Sequence, residues 1–566
     1  MAKKQKMYRL SDYLLALDDA KLLPPGECTS CGPLIDALDC EIRNLTFDSR
    51  EVTPGTLFVA KGAHFDPNYL LAAFKKGAVA YVSETDYTRW FLENAPDLSM
   101  EMPFVRVTDI RRAMPVLAKL FYGEPETELK TVGITGTKGK STVTYYVRSI
   151  FDAWMAAEGK KPSAVISGID TYDGVIDEES HMTTPESFEI YRHFRNAVDS
   201  GIETLEMEIS SQALKYHRTL GIQYSVGVFM NIGTDHISPI EHPDFEDYYA
   251  SKLLIFRQCD TAVVNLIPEH ADRTLETALG SPAKRVIAFG FTDLPKETES
   301  SVSTEEVRLR FAACESKANG KKLELLTGRN LRAEGDTVSF DLEWKGETTP
   351  ILLTMPGLFN GENALAAAAA CLAVGCPPEF VRKGLETAHV PGRMEPFRAK
   401  DGTLVLVDYA HNQMSFEKLY GSIRRDNPDA RIVGIYGCPG RHAYARRTEL
   451  AEVAAKYADK IYITEEDYGE DDLADISRTI AETAAKNGLA YEIIDDREEA
   501  LRAALEEAAI YAKGEGTAPD GFRRSGEPKR TIILFTGKGR ETREKRGREF
   551  VPVESDVAIV ERLIHG

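Results

Sequence analysis

A phosphate-binding loop is predicted at residues 132–142, which read VGITGTKGKST. Glycines let backbone N–H groups wrap around a phosphate, and the N-terminus of a following helix favours negative charge. The Lys140 ammonium can reach the β- and γ-phosphate oxygens of a nucleotide, and the Ser141 hydroxyl can bind Mg²⁺. The strict Walker spacing requires glycine five residues before Gly139, where this chain has Ile134, so the loop is a variant.

The elements around the loop are those of a nucleotide-binding α/β unit. A buried strand, KTVGIT, precedes the loop, and the helical segment STVTYYVRSIFDAW follows it. The strand-like segments TLEMEIS, VGVFMNI and TAVVNL alternate with helices, which predicts a largely parallel sheet. The region from VRLRFAACES to PILLTMPG is predicted to form antiparallel hairpins. Kinases, motors and transporters share such a loop, so the loop alone leaves the reaction open.

Two further α/β units flank this one. Residues 1–121 contain the strand-like GTLFVAKG and GAVAYVSE with the helical YLLAAFKKG between them. Pro391 and Gly392 interrupt the central pattern, and a Rossmann-like alternation follows with the strands TLVLVDYA, RIVGIYGC, KIYIT, YEIID and TIILFTGKG. We therefore predict an α/β protein of three domains, residues 1–121, 122–389 and 390–566. The length of 566 residues agrees, at roughly 150 residues per domain.

Composition excludes several classes of partner. The net charge of -20 argues against a nucleic-acid binder, which needs a basic face. Neither a signal peptide nor a run of roughly 18 apolar residues is present, so we expect a cytoplasmic monomer without a membrane partner. Cys28 and Cys31 form a CxxC pair, but a zinc site requires a second pair of ligands that the spacing does not offer.

Seven motifs occur in an order that resembles the Mur ligases, the ATP-dependent enzymes that build the peptide stem of bacterial cell-wall precursors. They are GITGTKGKST, EMEISSQAL, MNIGTDH, YYASKLLIF, GLFNGENALAA, PGRMEPF and VDYAHN. The N-terminal LTFDSREVTPGTLFVAKG and the C-terminal FTGKGRE are similar to members that add the third residue of the stem. The resemblance implies that the three domains bind UDP, ATP with Mg²⁺, and a free amino acid. It also implies that ATP phosphorylates a carboxylate of UDP-muramyl-dipeptide, and that the amino acid's amine then displaces the phosphate.

The resemblance assigns catalytic roles to Lys140, Glu208, His236 and Lys252. Glu208 and His236 would bind Mg²⁺ together with Ser141. Lys252, in YYASK, matches a lysine that is carbamylated in this family to N6-carboxylysine, which turns a cation into an anionic metal ligand. Without the resemblance, Glu208 could equally be a solvated residue at a strand end and Lys252 a surface helix residue.

Binding roles follow from the same motifs. Asparagine amides offer a donor and an acceptor to a base edge, although asparagine also caps helices. The residues matched to nucleotide contacts are Gly136, Thr137, Lys138, Gly139, Lys140, Ser141, Thr142, Asn360, Asn363, Arg393 and Asp408. The residues matched to contacts with the UDP-muramyl-dipeptide are Ser49, Ala63, His64, Phe65, Thr183, Thr184, Ser210 and Arg218. Gln212 and Tyr216 depart from the family pattern, in which histidine and glutamine are common.

The third domain is expected to select the amino acid. Members that add meso-diaminopimelate carry Asp-Asn-Pro-Arg after a YIT-like strand, and that arginine binds the distal carboxylate. Here residues 463–473 read ITEEDYGEDDL, and Gly469 falls at the arginine position. The acids favour a side-chain ammonium, so L-lysine is the expected substrate. The alternatives are a meso-diaminopimelate- or ornithine-adding ligase and a non-catalytic protein of the same fold. Expected contacts of the amino acid are Arg447, Asp467, Gly537 and Glu541.

Overall fold

Three main sheets follow one another along the chain, and the predicted α/β class is confirmed. The sheets contain four, eleven and six strands. The computed structural model describes residues 7–25, 37–62, 65–96, 103–233, 237, 241–293, 304–317, 321–334, 337–441, 444–513 and 530–565. No helix among these residues is long and apolar enough to cross a membrane.

The first sheet is parallel, with strand order β3-β4-β5-β6. Local sequence signals fix its helices: Asp66 caps one through the Asn68 N–H, and another ends at Gly123 with φ 72°. Its strands are β3 Asn44–Thr46, β4 Thr56–Val59, β5 Ala78–Ser83 and β6 Phe104–Arg106, and the preceding strands β1 Tyr8–Arg9 and β2 Glu41–Ile42 form a separate antiparallel pair. The helices are α1 Leu10–Asp19, α2 Pro67–Lys75, α3 Thr88–Asn94 and α4 Ile110–Tyr122.

The second sheet has seven parallel strands at its centre, in the order β8-β11-β7-β12-β13-β14-β15, and antiparallel strands at both edges. A 3₁₀ turn, Pro125–Glu128, leads into it, and another, Leu254–Arg257, follows α8. Its strands are β7 Lys130–Thr135, β8 Ala164–Ile166, β9 Asp170–Tyr172, β10 Asp177–Glu179, β11 Thr204–Glu208, β12 Tyr224–Phe229, β13 Cys259–Asn265, β14 Arg285–Phe291, β15 Lys322–Glu334, β16 Thr337–Trp344 and β17 Glu347–Leu353. Its helices are α5 Lys140–Ala157, α6 Ser187–Asp199, α7 Ser211–Lys215, α8 Phe245–Leu253, α9 Ala271–Gly280, α10 Thr304–Lys317, α11 Phe359–Ala373 and α12 Pro378–Thr387.

The prediction of hairpins from VRLRFAACES onward is wrong for its first part, which lies in the helix Thr304–Lys317. A strand would place Val307, Leu309 and Phe311 on one face. Instead Val307 and Phe311, four residues apart, are buried while Leu309 is 60% exposed. Buried Arg310 fixes this helical face by donating to the carbonyls of Leu266 and Pro268. The remaining strands, β15 to β17, are antiparallel as predicted.

The third sheet has the order β18-β19-β23-β20-β21-β22, and only β18 runs antiparallel to its neighbour. The five predicted strands are its parallel members. The strands are β18 Glu395–Arg398, β19 Leu404–Asp408, β20 Arg431–Tyr436, β21 Lys460–Ile463, β22 Ala490–Ile493, β23 Thr531–Thr536, β24 Arg543–Arg546 and β25 Glu549–Pro552, the last two forming a separate hairpin. The helices are α13 Gln413–Asp426, α14 Arg446–Tyr457, α15 Leu473–Lys486, α16 Arg497–Ala512 and α17 Asp556–His565.

Candidate active site

The phosphate loop joins β7, in the middle of the second sheet, to helix α5. Gly139 has φ 85°, and a Cβ there would lie 2.6 Å from Asn363 Oδ1. Both the left-handed backbone and the close approach therefore require glycine.

Two residues that the sequence analysis did not assign to the site hold the loop in shape. The Asn231 side chain accepts from the Lys138 N–H at 2.9 Å and donates to the Lys138 carbonyl at 3.1 Å. The Tyr248 hydroxyl lies 3.1 Å from the Thr137 hydroxyl. Asn231 belongs to the motif MNIGTDH and Tyr248 to YYASK, so the motifs marked these segments but not these side chains.

Two lysine side chains converge on one carbonyl of the loop. Lys140 Nζ donates to the Gly136 carbonyl at 3.0 Å, and Lys252 Nζ donates to the same oxygen at 2.9 Å. Lys252 is 1% exposed, and its amine lies 4.8 Å from the centre of the Tyr248 ring. Lys252 is therefore a buried neighbour of the phosphate loop rather than a surface residue. Two like charges so close together repel unless an anion lies between them or one charge is changed.

Glu208 ends strand β11, which pairs with the strand that precedes the loop. The residue is 2% exposed, and its Oε1 accepts from the Gly168 N–H at 3.0 Å. The Thr184 hydroxyl donates to the Glu208 carbonyl at 3.0 Å and accepts from the Ser210 N–H at 2.9 Å. A Cβ at Gly168 would lie 3.2 Å from Thr183 Oγ1, so the structure groups these predicted residues closely.

Several predicted positions lie outside the described residues: Ala63, His64, His236 and the pair Cys28 and Cys31. Within the described residues, no three His, Cys, Asp or Glu side chains form a cluster that could hold a metal ion.

The predicted contacts of the UDP-muramyl-dipeptide are distributed over two sheets. Ser49 and Phe65 flank the first sheet: the Ser49 carbonyl accepts from Lys76 Nζ at 2.9 Å, and the Phe65 ring packs 5.5 Å from that of Tyr87. Arg218 lies by the second sheet and donates to the Thr184 carbonyl at 3.1 Å.

A cavity of about 380 Å³ opens between the phosphate loop and the third sheet. The predicted nucleotide contacts Lys138, Gly139, Thr142, Asn360, Asn363, Arg393 and Asp408 line it. One face of helix α13 lines it as well, with Ser415, Lys418, Leu419, Ser422 and Arg425. The motifs do not assign this helix to the site; its one signal in the sequence is the three- and four-residue spacing of these side chains, which every amphipathic helix shares.

The two predicted adenine contacts bind each other. Asn363 Nδ2 donates to Asn360 Oδ1 at 3.1 Å, and Asn360 Nδ2 donates to the Pro356 carbonyl at 2.7 Å. Asn360 is 1% exposed, so its amide organises the wall of the cavity and leaves Asn363 next to the loop.

Asp408 anchors the segment that leads from the second sheet into the third. Its carboxylate accepts from the N–H groups of Met394 and Ala410, both at 2.8 Å. Burial raises the pKa of Asp408, and the nearby Arg393 opposes that shift. His411 Nδ1 donates to the Tyr409 carbonyl at 2.7 Å, while burial, with the cations Arg446, Arg393 and Lys138, lowers the pKa of His411 to about 4. His411 is therefore a neutral imidazole near neutral pH.

Most acids of the segment 465–472 are paired with cations. Glu465 lies 2.8 Å from Arg546, and Glu470 lies 2.7 Å from Arg548. Asp471 is 2.7 Å from Arg447, one of the residues predicted to contact the amino acid.

Asp467, predicted to contact the amino acid, is also engaged. Its Oδ1 accepts from Lys538 Nζ at 3.1 Å and from the Lys545 N–H at 2.7 Å. Its backbone is left-handed, with φ 40°. These contacts give Asp467 a part in shaping the pocket.

Glu466 and Glu541 both have pKa values raised to about 7. Glu466 is 6% exposed and makes no ion pair or hydrogen bond within the described stretches. Burial raises the pKa of Glu466 to about 7, with Asp467 adding to the shift and Arg497 opposing it. Burial also raises the pKa of Glu541 to about 7, although Lys538 Nζ lies 2.6 Å from its carboxylate. A Cβ at Gly537 would overlap the Glu466 carboxylate, which explains glycine at that predicted contact.

The hairpin β24–β25 covers Gly469. The Gly469 N–H donates to the Lys545 carbonyl at 3.0 Å, and the Gly547 N–H donates to the Gly469 carbonyl at 2.8 Å. Arg540, in the GKGRE motif, is held by both oxygens of Glu395, at 2.6 and 3.2 Å. Arg446 lies close enough to His411 to lower its pKa.

A phosphate loop that shares a cavity with a third α/β domain is the arrangement of an ATP-dependent ligase of the kind that joins a carboxylate to an amine. The chain belongs to the Mur ligase family. Residues 134–371 match the Mur ligase middle domain, and residues 392–515 match the Mur ligase, glutamate ligase domain.

Relatives and solved structures agree with this assignment. The chain is 34% identical to a UDP-N-acetylmuramoyl-L-alanyl-D-glutamate–L-lysine ligase of Enterococcus faecalis, over 93% of this chain and 92% of the relative. It is 34% identical to a UDP-N-acetylmuramyl-tripeptide synthetase of Bifidobacterium longum, over 94% and 93% of the two chains. The structure of a UDP-N-acetylmuramoyl-L-alanyl-D-glutamate–2,6-diaminopimelate ligase has the same fold, with TM-score 0.62, 19% identity and 99% coverage of both chains.

Proposed function

We propose that this protein adds L-lysine to UDP-N-acetylmuramoyl-L-alanyl-D-glutamate in an ATP-dependent step of peptidoglycan precursor synthesis. The observation that carries the proposal is the segment 465–472, where Glu466 is an acid without an ion pair among the described residues and Gly469 stands at the arginine position. Relatives named as L-lysine ligases support it. In this proposal residues 1–121 bind the UDP moiety, residues 122–389 bind ATP and residues 390–566 bind the amino acid.

The reaction has two displacement steps. A carboxylate oxygen of the dipeptide attacks the γ-phosphorus of ATP, and ADP leaves. The amine of lysine then attacks the acyl carbon, phosphate leaves, and the amine loses a proton. Without the first step the leaving group would be oxide, so phosphorylation supplies a good leaving group. The loop N–H groups and Lys140 position the phosphates and neutralise their charge.

A magnesium ion fits the donors beside the loop. Mg²⁺ is usually held by one or two carboxylates together with substrate phosphates. The buried Glu208 carboxylate and the Ser141 hydroxyl provide such donors, and His236 is assigned to the same role by its motif. When bound, the ion would neutralise charge on the phosphate oxygens. Lys252 suits this environment as a carbamate, because a second ammonium at the Gly136 carbonyl would oppose both Lys140 and a metal ion.

The amino-acid pocket favours lysine over meso-diaminopimelate. These substrates differ by one carboxylate at the far end of the side chain. Glu466, which has no ion pair among the described residues, can attract an ammonium and would repel that carboxylate. Arg540 and Arg447 are engaged by Glu395 and Asp471, so neither offers an uncommitted cation.

The test is to incubate the purified protein with UDP-N-acetylmuramoyl-L-alanyl-D-glutamate, ATP, Mg²⁺ and a panel of lysine, ornithine and meso-diaminopimelate. We expect phosphate release only when all substrates are present, and a product whose mass corresponds to added lysine. Equal phosphate release from ATP alone would indicate an ordinary NTPase. A kcat/KM for meso-diaminopimelate equal to or above that for lysine would overturn the lysine assignment.

A further inference from the structure

A small ionic cluster connects the first two domains beside the predicted path of the UDP-muramyl-dipeptide. Glu186, which precedes helix α6 of the second domain, contributes its carboxylate. Lys61 Nζ of the first domain lies 3.2 Å from one oxygen of Glu186, and Arg218 Nε lies 3.2 Å from the other. None of the three is more than a quarter exposed: the side chains of Lys61, Glu186 and Arg218 are 24%, 14% and 15% exposed.

The cluster has more positive than negative charge. Lys61 and Arg218 share one carboxylate. Burial is the main cause of the lowered pKa of Lys61, and the nearby Arg111 lowers that pKa further. Arg111 itself lies over the Tyr216 ring, 4.8 Å from its centre. Three cationic groups around one carboxylate leave a local excess of positive charge, which an anionic ligand would relieve.

The position of Lys61 is fixed by the strand it follows and by aromatic contacts. The residue follows strand β4 at its carboxyl end, where open parallel sheets bind their ligands. Its amine rests 4.0 Å from the centre of the Phe47 ring, and Phe47 packs against Phe188 of helix α6 at 5.9 Å. The aromatic contact between the two domains thus fixes where the ammonium points.

The UDP-muramyl-dipeptide of the proposed reaction must extend from the first domain to the second. Ser49 and Phe65 are the predicted contacts in the first domain, whereas Thr184 and Ser210 are predicted contacts in the second. A molecule that joins a nucleoside diphosphate to a D-glutamyl dipeptide carries anionic oxygens in its diphosphate and in the glutamyl carboxylate that is not phosphorylated. Arg218 is already tied to the Thr184 carbonyl on the second-domain side.

We propose that Lys61 acts with Arg218 as a binding residue for an anionic group of the UDP-muramyl-dipeptide, and that Glu186 holds both cations in position across the domain boundary. This inference rests on the proposed function, because it uses that substrate. The shared chemistry is an anionic oxygen, supplied by the diphosphate or by the free D-glutamyl carboxylate.

The experiment measures binding and kinetics for the full-length wild type and for Lys61→Met, Lys61→Arg and Lys284→Met. Lys284 pairs with Asp260 at 2.9 Å on an exposed surface, so its substitution removes the same charge elsewhere. We expect Lys61→Met to weaken binding of UDP-N-acetylmuramoyl-L-alanyl-D-glutamate by on the order of tenfold to a hundredfold, because a charged contact is lost. KM for ATP and lysine should stay as in the wild type, Lys61→Arg should retain most of the affinity, and Lys284→Met should retain all of it.

Inhibition by UDP separates the two sources of the anionic oxygen. If Lys61 contacts the diphosphate, the inhibition constant of UDP should rise in Lys61→Met by the same factor as that for the full substrate. If it contacts the glutamyl carboxylate, UDP inhibition should not change. An unchanged affinity of Lys61→Met for the full substrate overturns the proposal, and so does a matching rise in all three KM values with a lower melting temperature. Titration calorimetry needs no turnover, so it tests Lys61 even if the amino acid added is not lysine.

Discussion

Replacing Glu466 by glutamine should separate recognition of the lysine ammonium from the rest of the reaction. The substitution preserves shape and leaves an acceptor oxygen while removing the charge. Glu466 is 6% exposed and has no ion pair in the described chain, so in the proposed function its carboxylate is the one assigned to the substrate ammonium. Because its pKa is about 7, the experiment belongs at about pH 8, where the carboxylate is mostly ionised.

The expected magnitude follows from charge and burial. Two unit charges 4 Å apart attract by about 4 kcal/mol at an effective dielectric constant of about 20. The glutamine oxygen still accepts a hydrogen bond, which recovers about 1 kcal/mol, and relaxation of the pocket recovers more. A net loss of about 2–3 kcal/mol corresponds to a fall in kcat/KM for lysine of about 30- to 150-fold.

The assay is competition between lysine and norleucine, which lacks the terminal amine. The preference of the wild type for lysine should collapse in Glu466→Gln, and kcat/KM for norleucine should change little. Glu470→Gln is the matched control, since Glu470 lies in the same segment but is held by Arg548 and Arg441. Equal losses in both variants, or full retention of lysine kcat/KM in Glu466→Gln, would refute the assignment of this carboxylate to the ammonium.

Further predictions concern the phosphate loop and the pH response. Lys252→Ala should be nearly inactive and be partly rescued by a small carboxylic acid, whereas an intact mass showing a free amine in fully active enzyme would exclude the carbamate. Gly139→Ala should raise KM for ATP at least tenfold, because the left-handed backbone alone costs roughly 1–2 kcal/mol and the new Cβ would meet the Asn363 amide. Gly123→Ala, which is also left-handed but has open space around it, is the control. Equal KM values for ATP in the two variants would contradict the argument. KM for lysine should fall as pH rises from about 6 to about 8, as the pocket acids ionise through pKa values of about 7. Because these pKa values lie above those of the unfolded chain, the contribution of the two acids to the unfolding free energy should decrease as pH rises from about 4.5 to about 7. Chemical denaturation of wild type and Glu466→Gln across that range checks the sign, since the variant should show a smaller decrease.

The sequence predicted the features that local chemistry determines. Glycine spacing and a preceding apolar strand are enough to specify a phosphate loop, and the alternation of strands and helices indicated parallel sheets. Helix 304–317 was missed because Val307, Leu309 and Phe311 fit a two-residue period, and only the contacts of Arg310 with distant carbonyls favour the helix. The place of Lys252 in the site could be predicted only from the family motif, because the Gly136 carbonyl that it contacts lies 116 residues away in the sequence.

The amino-acid pocket shows what sequence could not supply. Six acids between residues 465 and 472 look equivalent in a list of letters, and counting them predicts an acidic pocket. Which of them remains available depends on cations from distant parts of the chain: Arg546 and Arg548 come from the hairpin β24–β25, and Lys538 from the end of β23. Asp467 and Glu466 are adjacent in sequence, yet the Asp467 carboxylate accepts from Lys538 and from the Lys545 N–H, whereas Glu466 has no ion pair among the described residues.

This difference links recognition to stability. An acid that the fold has already neutralised gives little extra attraction to a substrate ammonium, since its charge is balanced before the substrate arrives. Glu466 is costly to bury as a carboxylate, and its raised pKa expresses that cost. A bound ammonium would compensate this buried charge, so a substrate ammonium is attracted more strongly to Glu466 than to an acid that already has an ion pair. A carboxylate at the far end of meso-diaminopimelate would add a second uncompensated negative charge at the same place. In the proposed function, selectivity for lysine would therefore depend on Glu466 having no ion pair among the described residues, while Arg447 and Arg540 are held by Asp471 and Glu395.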